Sequence, residues 1–141
     1  MKRWMTILGL MLMISMGCNR CKDGQLYPQV NFGFTININE PAYFDLTVPS
    51  GWLYYDGGTV KLIVYRNTME EFTIYDARST YNPESPCICT VSDDNTFIED
   101  PCSDSQWLLT DGSVVHGPAG QNLLTYDYSF DSATGVLYFY N

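Results

Sequence analysis

The fold is decided by the stretch DPCSDSQW at residues 100–107, which continues as LLTDGSVVHGPA to residue 119. Three short elements follow one another in it: Ser-Gln-Trp at residues 105–107, Asp-Gly-Ser-Val-Val at residues 111–115 and Gly-Pro-Ala at residues 117–119. Glycine, proline and aspartate favour turns, whereas valine and tryptophan favour strands. The stretch therefore predicts short strands separated by tight loops.

Alternating apolar residues predict strands through the rest of the chain. Val30, Phe32, Phe34, Ile36 and Ile38 fall on one face of an extended segment, with polar residues or glycine between them. The other strand candidates are residues 43–46, 52–55, 60–65, 72–75, 88–91, 96–98, 124–130 and 136–140. No segment after residue 17 has a persuasive helical period, so we predict one all-β barrel or sandwich of roughly eight to ten strands.

The order of these elements resembles that of Rieske [2Fe–2S] domains. Residues 100–119 are similar to the second cluster box of that family, and residues 72–78 look like the strand that leads to the first box. Residues 123–126 look like the strand that returns from the cluster loops. The resemblance covers about residues 28–141 and implies a Rieske-like antiparallel β-barrel or sandwich. A small cluster-binding-type subdomain is expected at about residues 77–120.

The resemblance also indicates which positions correspond to the ligands of the family's cluster. The Cys and His ligands of the second box fall on Asp100 and Ser103, and those of the first box fall on Ser79 and Tyr81. A Rieske cluster needs two thiolates and two imidazoles, but the chain contains a single histidine, His116. We therefore expect a vacated cluster site, no bound cofactor and no metal ligand at these positions.

Five cysteines are present, and one of them, Cys18, is assigned to lipid attachment below. The other four are disulfide candidates, since an exported chain favours oxidised cysteines: Cys21, Cys87, Cys89 and Cys102. Either Cys87 or Cys89 could pair with Cys102 and the other with Cys21. The sequence does not choose between these pairings.

The resemblance bears on one of the cysteines. Cys102 matches an extra cysteine of the second box, which in many Rieske proteins forms a disulfide with a partner in the first box. The matching position in the first box is Glu84, which departs from the family pattern. A competing hypothesis is a zinc or other thiolate site built from Cys87, Cys89, Cys102 and His116, although Cys-x-Cys is not the usual zinc spacing.

The N-terminus predicts export and lipid attachment. Lys2 and Arg3 precede an apolar run over residues 4–16, which is typical of a signal peptide and too short to span a bilayer comfortably. Ser-Met-Gly-Cys at residues 15–18 looks like a bacterial lipobox with Ser15 where leucine is usual. We predict a lipoprotein signal peptide at residues 1–17, lipidated Cys18 and a polar tether to residue 27. A plain signal peptide cleaved nearby is the alternative.

The charge of the chain limits its partners. Seven basic residues face sixteen acidic ones, which gives a net charge of −9, and removal of residues 1–17 would remove two of the basic residues. This excess argues against nucleic acid and anionic lipid headgroups, because both are bound through clustered lysine and arginine. Membrane attachment would then depend on the lipid.

The function expected from these observations is that of a lipid-anchored protein of the bacterial cell envelope. With no catalytic constellation visible, we predict a non-catalytic binding or accessory module and not an enzyme. The alternative is a Rieske-type electron-transfer protein with an iron–sulfur cluster, or a thiolate metal-binding protein. The protein partner, the membrane leaflet and the oligomeric state are not predicted.

Overall fold

The computed structural model describes Tyr27 and residues 30–141. The predicted signal peptide, Cys18, Cys21 and almost all of the tether lie outside these residues. Among the residues described, there is no helix with the length and hydropathy needed to cross a bilayer. The described elements are one 3₁₀ helix, Pro41–Thr47, and ten strands: β1 Gly33–Asn37, β2 Trp52–Asp56, β3 Lys61–Arg66, β4 Phe72–Asp76, β5 Thr90–Val91, β6 Phe97–Glu99, β7 Gln106–Leu108, β8 Val114–His116, β9 Thr125–Asp131 and β10 Val136–Tyr140.

Six strands form a curled antiparallel sheet in the order β1-β10-β9-β4-β3-β2. The predicted alternation in the first strand is confirmed, since Ile36 and Ile38 are buried and Phe32 and Phe34 pack against the same core. The predicted strands at residues 52–55 and 60–65 are also confirmed, and they pair as the antiparallel hairpin of β2 and β3. Gly58 in its turn has a φ of +82°, a conformation that glycine adopts without the steric cost of a side chain.

The other four strands form a small antiparallel sheet in the order β5-β6-β7-β8. Strand β3 separates two hydrophobic cores, because successive side chains of a strand point to opposite faces. Leu62 and Val64 belong to the core inside the larger sheet. Ile63 and Tyr65 belong to a second core, which Trp107 fills from the small sheet. The prediction of an all-β domain with a small subdomain is therefore confirmed.

One predicted strand is wrong. Residues 43–46 lie within the 3₁₀ helix, which begins at Pro41 and packs Leu46 completely into the first core. Proline suits the first turn of a helix, because it has no N–H to leave unpaired and its φ is already helical. A segment of four residues is too short for its apolar pattern to distinguish this helix from a strand.

The buried carboxylate of Asp76, at the end of β4, helps to connect β4, β9 and the start of the described chain. Asp76 is fully buried and forms a salt bridge of 2.5 Å with Arg78. It also accepts a hydrogen bond of 2.7 Å from the hydroxyl of Tyr126 on β9. The Arg78 guanidinium in turn lies over the ring of Tyr27, 4.0 Å from its centroid. The Tyr27 hydroxyl donates to the backbone carbonyl of Ser79. The start of the described chain is thereby attached to the end of β4.

Removal of the Tyr126 hydroxyl should destabilise the domain. In Tyr126→Phe the fully buried Asp76 loses one of its donors, which we expect to lower the free energy of unfolding by about 1–3 kcal/mol. The matched control is Tyr128→Phe, which changes another partly buried tyrosine of β9 that packs on the first core. Chemical denaturation of both variants checks this. Equal losses in the two variants would contradict a role for the Tyr126–Asp76 bond.

Candidate functional site

Three loops meet beside the small sheet and are called here the loop cluster. The first loop, residues 77–89, follows β4; the second, residues 100–105, joins β6 to β7; and the third, residues 117–124, follows β8. Side-chain hydrogen bonds and a disulfide connect the first loop to the second, and further hydrogen bonds connect both to the third. These loops contain the four positions that correspond to Rieske cluster ligands.

The centre of the loop cluster is the carboxylate of Asp100, which is only 2% exposed. Its Oδ2 accepts hydrogen bonds of 2.6 Å from the hydroxyls of Ser79 and Ser103. Its Oδ1 accepts a bond of 2.9 Å from the backbone N–H of Cys102. Burial raises the pKa of Asp100, but the hydrogen bonds from Ser103, Ser79 and the Cys102 amide outweigh burial and hold that pKa below its usual value.

A second hydroxyl extends this network to the third loop. Ser105 is fully buried, and its hydroxyl lies 2.9 Å from that of Ser103. Because the single hydroxyl proton of Ser103 is donated to Asp100, Ser105 is the donor in this pair. The Ser105 oxygen also accepts a bond of 2.9 Å from the N–H of Ala119. Asp100, Ser103 and Ser105 thus form one chain of hydrogen bonds to the Gly-Pro-Ala segment.

The carbonyl of Gln121 provides a further connection. It accepts bonds of 2.9 Å from the Thr80 hydroxyl of the first loop and from the indole N–H of Trp107 beneath the cluster. Across the described residues, every buried side-chain nitrogen and oxygen has a hydrogen-bond partner. The loop cluster is therefore a satisfied polar network built on the second hydrophobic core.

The structure chooses between the disulfide pairings that the sequence left open. Cys87 and Cys102 are bonded, which joins the first and second loops across 15 residues with a Cα–Cα distance of 6.3 Å. Cys89 is a free and completely buried thiol. Cys21, the other predicted partner, lies outside the described residues. Burial, followed by the nearby charges of Asp100 and Asp76, raises the pKa of Cys89 to about 12. Cys89 is consequently an unreactive core residue.

The predicted site residues do not all come together. Ser79, Asp100 and Ser103 are in direct contact. The side chain of Tyr81 is half exposed, and His116 is exposed on β8. The hypothetical metal site of Cys87, Cys89, Cys102 and His116 is not assembled. A different group is present instead, in which the ligand atoms of Cys87, Asp100 and Cys102 all lie within 4.8 Å of one another.

The role of Asp100 could not be predicted from the sequence, because an isolated acidic residue gives no sign of burial. The available signal was its position. Because the family has a buried cluster ligand at this position, a carboxylate there would also be buried. It would then need hydrogen-bond donors from the protein in place of water. The Ser79 and Ser103 hydroxyls provide them.

Comparison with known proteins supports the same architecture. No protein-family model matches the sequence, and none of the curated proteins matches it either. The plasma membrane Rieske protein PetC3 of the cyanobacterium Synechocystis is similar in structure, with a TM-score of 0.54 and 18% identity over 79% of this chain and 98% of that one. The ferredoxin of carbazole 1,9a-dioxygenase from Nocardioides aromaticivorans has a TM-score of 0.49 and 10% identity over 79% of this chain and 97% of that one, which is too distant to carry an argument.

The donor set does not fit the cluster that this fold implies. A Rieske [2Fe–2S] cluster is held by two thiolates and two imidazoles. The corresponding positions hold two hydroxyls, one exposed phenol and one carboxylate, and the carboxylate is bonded directly to both hydroxyls. The single imidazole of the chain, that of His116, is exposed on β8.

The expectation that the domain carries no cofactor is nevertheless wrong as it was stated. It rested on the four family positions and the single histidine, and it did not consider Asp100 together with two cysteines as possible metal ligands. Cys87 and Cys102 lie outside those positions, and the fold places them beside Asp100. The loop cluster of a fold shared with Rieske proteins therefore contains potential metal ligands. The chain is a Rieske-like domain whose loop cluster combines a buried carboxylate network with a disulfide.

Proposed function

We propose that this protein is an exported, lipid-anchored module of the bacterial cell envelope that binds a protein partner through its loop cluster. In this proposal Cys18 carries the lipid, the following polar residues are a tether, and the Rieske-like domain acts as an accessory component without turning over a substrate.

The observation that carries the proposal is the hydrogen bonding of Asp100. A catalytic carboxylic acid must exchange a proton with a substrate, and for that it has to be reachable and to have a pKa near the working pH. Asp100 is 2% exposed, accepts three hydrogen bonds and has a lowered pKa. These properties suit a fixed anion that organises loops, and rigid loops are good binding surfaces because little conformational freedom is lost on association.

The surface of the loop cluster has the composition of a contact site. Tyr81 and Ile88 on the first loop are exposed by 50% and 43%, and exposed tyrosine is a common anchor in protein interfaces. The acidic residues Glu84 and Asp104 are also exposed on the first and second loops. A partner with a basic contact surface would complement these carboxylates, and the association should then weaken as the salt concentration rises.

The lipid anchor can be tested with two neighbouring cysteines. When the full chain is produced in a bacterial host, Cys18→Ser should abolish lipid modification and move the protein from the detergent phase to the aqueous phase in a phase-partition assay, because a covalent lipid supplies the membrane affinity. Cys21→Ser is the matched control and should leave partitioning unchanged. A lipid mass on the mature chain of Cys18→Ser, or its absence from the wild type, would reject the anchor.

Partner binding can be tested with a photo-crosslinking amino acid at single positions in intact cells. Replacement of Tyr81 should give a specific crosslinked product whose yield falls as ionic strength is raised, since the contact is partly electrostatic. The control position is Phe44, which is 70% exposed on the 3₁₀ helix between β1 and β2. A product from Phe44 alone, or equal products from both positions, would contradict binding through the loop cluster.

The structural role of Asp100 predicts a specific dependence of stability on pH. In Asp100→Asn the charged acceptor is lost, and we expect the free energy of unfolding at pH 7 to fall by about 1.5–3 kcal/mol. Because the folded-state pKa of Asp100 is lowered, its stabilisation is complete above the unfolded value of about 4 and is lost as the pH falls through the folded value. The difference between wild type and variant should therefore shrink in acid.

The matched control for this measurement is Asp104→Asn in the same loop. Asp104 is exposed and has a φ of +60°, a conformation that asparagine tolerates as well as aspartate does. Denaturation curves of the three proteins should show a pH-dependent difference only for Asp100→Asn. A difference that stays constant from neutral to acidic pH would rule out an ionised, stabilising Asp100.

A further inference from the structure

We propose that reduction of the Cys87–Cys102 disulfide converts the loop cluster into a binding site for one divalent, zinc-like metal ion, held by the two thiolates and the carboxylate of Asp100. This site does not depend on the lipid anchor or on partner binding. Oxidised and metal-bound states would exclude each other, since the disulfide consumes both sulfur ligands.

The ligand atoms of the proposed site are already close together. The two sulfurs and a carboxylate oxygen of Asp100 already lie within 4.8 Å of one another. On a tetrahedral zinc ion with Zn–S bonds of about 2.3 Å, two thiolates are separated by about 3.8 Å. The Cα atoms of Cys87 and Cys102 are 6.3 Å apart. Rotation of the two side chains after reduction can therefore provide the separation while the backbone stays in place.

Hydrogen bonds fix the orientation of the Asp100 carboxylate. The hydroxyls of Ser79 and Ser103 both bond to Oδ2 of Asp100. Oδ1 accepts no side-chain hydrogen bond, and its bond of 2.9 Å comes from the backbone N–H of Cys102. Groups that hold a ligand from behind fix its direction and strengthen metal binding. The two serines hold the carboxylate in this way and leave Oδ1, beside Cys102, as the metal-facing oxygen.

The exposure of the cysteines and the donor atoms of the group suit a zinc-like ion. Cys102 is exposed and Cys87 is half-buried, so a metal ion can reach the sulfurs from solvent, whereas Asp100 forms the floor of the site. Two thiolates and one carboxylate suit zinc and similar borderline ions better than magnesium or calcium, which prefer oxygen ligands alone. Three protein ligands leave a fourth position for water. The free thiol of Cys89 is buried in the second core and does not join this group.

Conversion of the disulfide to a metal site takes a reduction step and a binding step. A dithiol reductant gives two electrons and two protons to the disulfide and becomes a disulfide itself, which leaves Cys87 and Cys102 as thiols. The metal ion then displaces both thiol protons and forms two metal–sulfur bonds. The Asp100 carboxylate adds the third bond without releasing a proton. Metal binding should therefore tighten as pH rises, since two thiols must lose their protons.

The test is a cobalt titration of the full chain in detergent, with Cys18→Ser and Cys21→Ser introduced so that the cysteines of the domain are the only ones present. One sample stays oxidised. The other is reduced with a trialkylphosphine, which becomes a phosphine oxide by taking an oxygen atom from water while the disulfide becomes two thiols. The reagent is then removed under anaerobic conditions. The reduced sample should bind about one Co²⁺ per chain with sulfur-to-cobalt charge-transfer bands, which Zn²⁺ abolishes by displacement. The oxidised sample should bind at least a hundredfold more weakly.

Two variants identify the ligands. In the reduced state Asp100→Asn should weaken cobalt binding by roughly tenfold or more, and Cys89→Ala should bind as the parent does. Circular dichroism checks that each protein is folded. If a variant does not fold, the comparison of cobalt binding by the oxidised and reduced parent chain tests the proposal by itself. Equal binding in both redox states, no binding after reduction, or loss of binding in Cys89→Ala would overturn the proposal.

Discussion

The buried carboxylate of Asp100 is the constraint on which the loop cluster depends. An ionised group that is 2% exposed is tolerated only when hydrogen bonds replace the water that it has lost. Two of its three donors come from the second loop, and the third comes from the first loop. Because Ser103 also contacts Ser105, which binds the third loop, the positions of all three loops follow from the need to solvate a single charge.

A second buried acidic residue lies at the start of the first loop. Asp76 ends β4 immediately before that loop, and Asp100 begins the second loop after β6. Asp76 is paired with Arg78 and Tyr126, whereas Asp100 uses hydroxyls and an amide. Each of these loops is therefore attached to the β framework by a buried acidic residue at its first turn. The disulfide between Cys87 and Cys102 adds a covalent connection between the same two loops.

Much of the framework could be predicted from the sequence, because its strands alternate and its turns contain glycine and aspartate. The hairpin at residues 56–60 and the terminal hairpin are examples, since both signals are local. The 3₁₀ helix at Pro41–Thr47 was missed because four residues are too few to show a period. The choice of Cys87 over Cys89 could not be made either, since it depends on which residue the second core encloses. The sequence suggested a thiolate site that contained Cys87 and Cys102 but not Asp100. The proximity of Asp100 to these two cysteines could not be predicted, because it depends on how two separate loops pack in the fold.

The most direct measurement of the central claim is the titration of the Asp100 carboxyl carbon by nuclear magnetic resonance in the folded protein, followed from neutral pH into acid. The account predicts that the carbon signal keeps the shift of an ionised carboxylate well below the usual pKa of aspartate, and that the backbone amide signals of Cys102 and Ala119 change together with it. A carboxyl group that gains its proton at or above the ordinary value of about 4 would show that burial outweighs the hydrogen bonds. That result would contradict the role given to Asp100 as the fixed anion of the loop cluster.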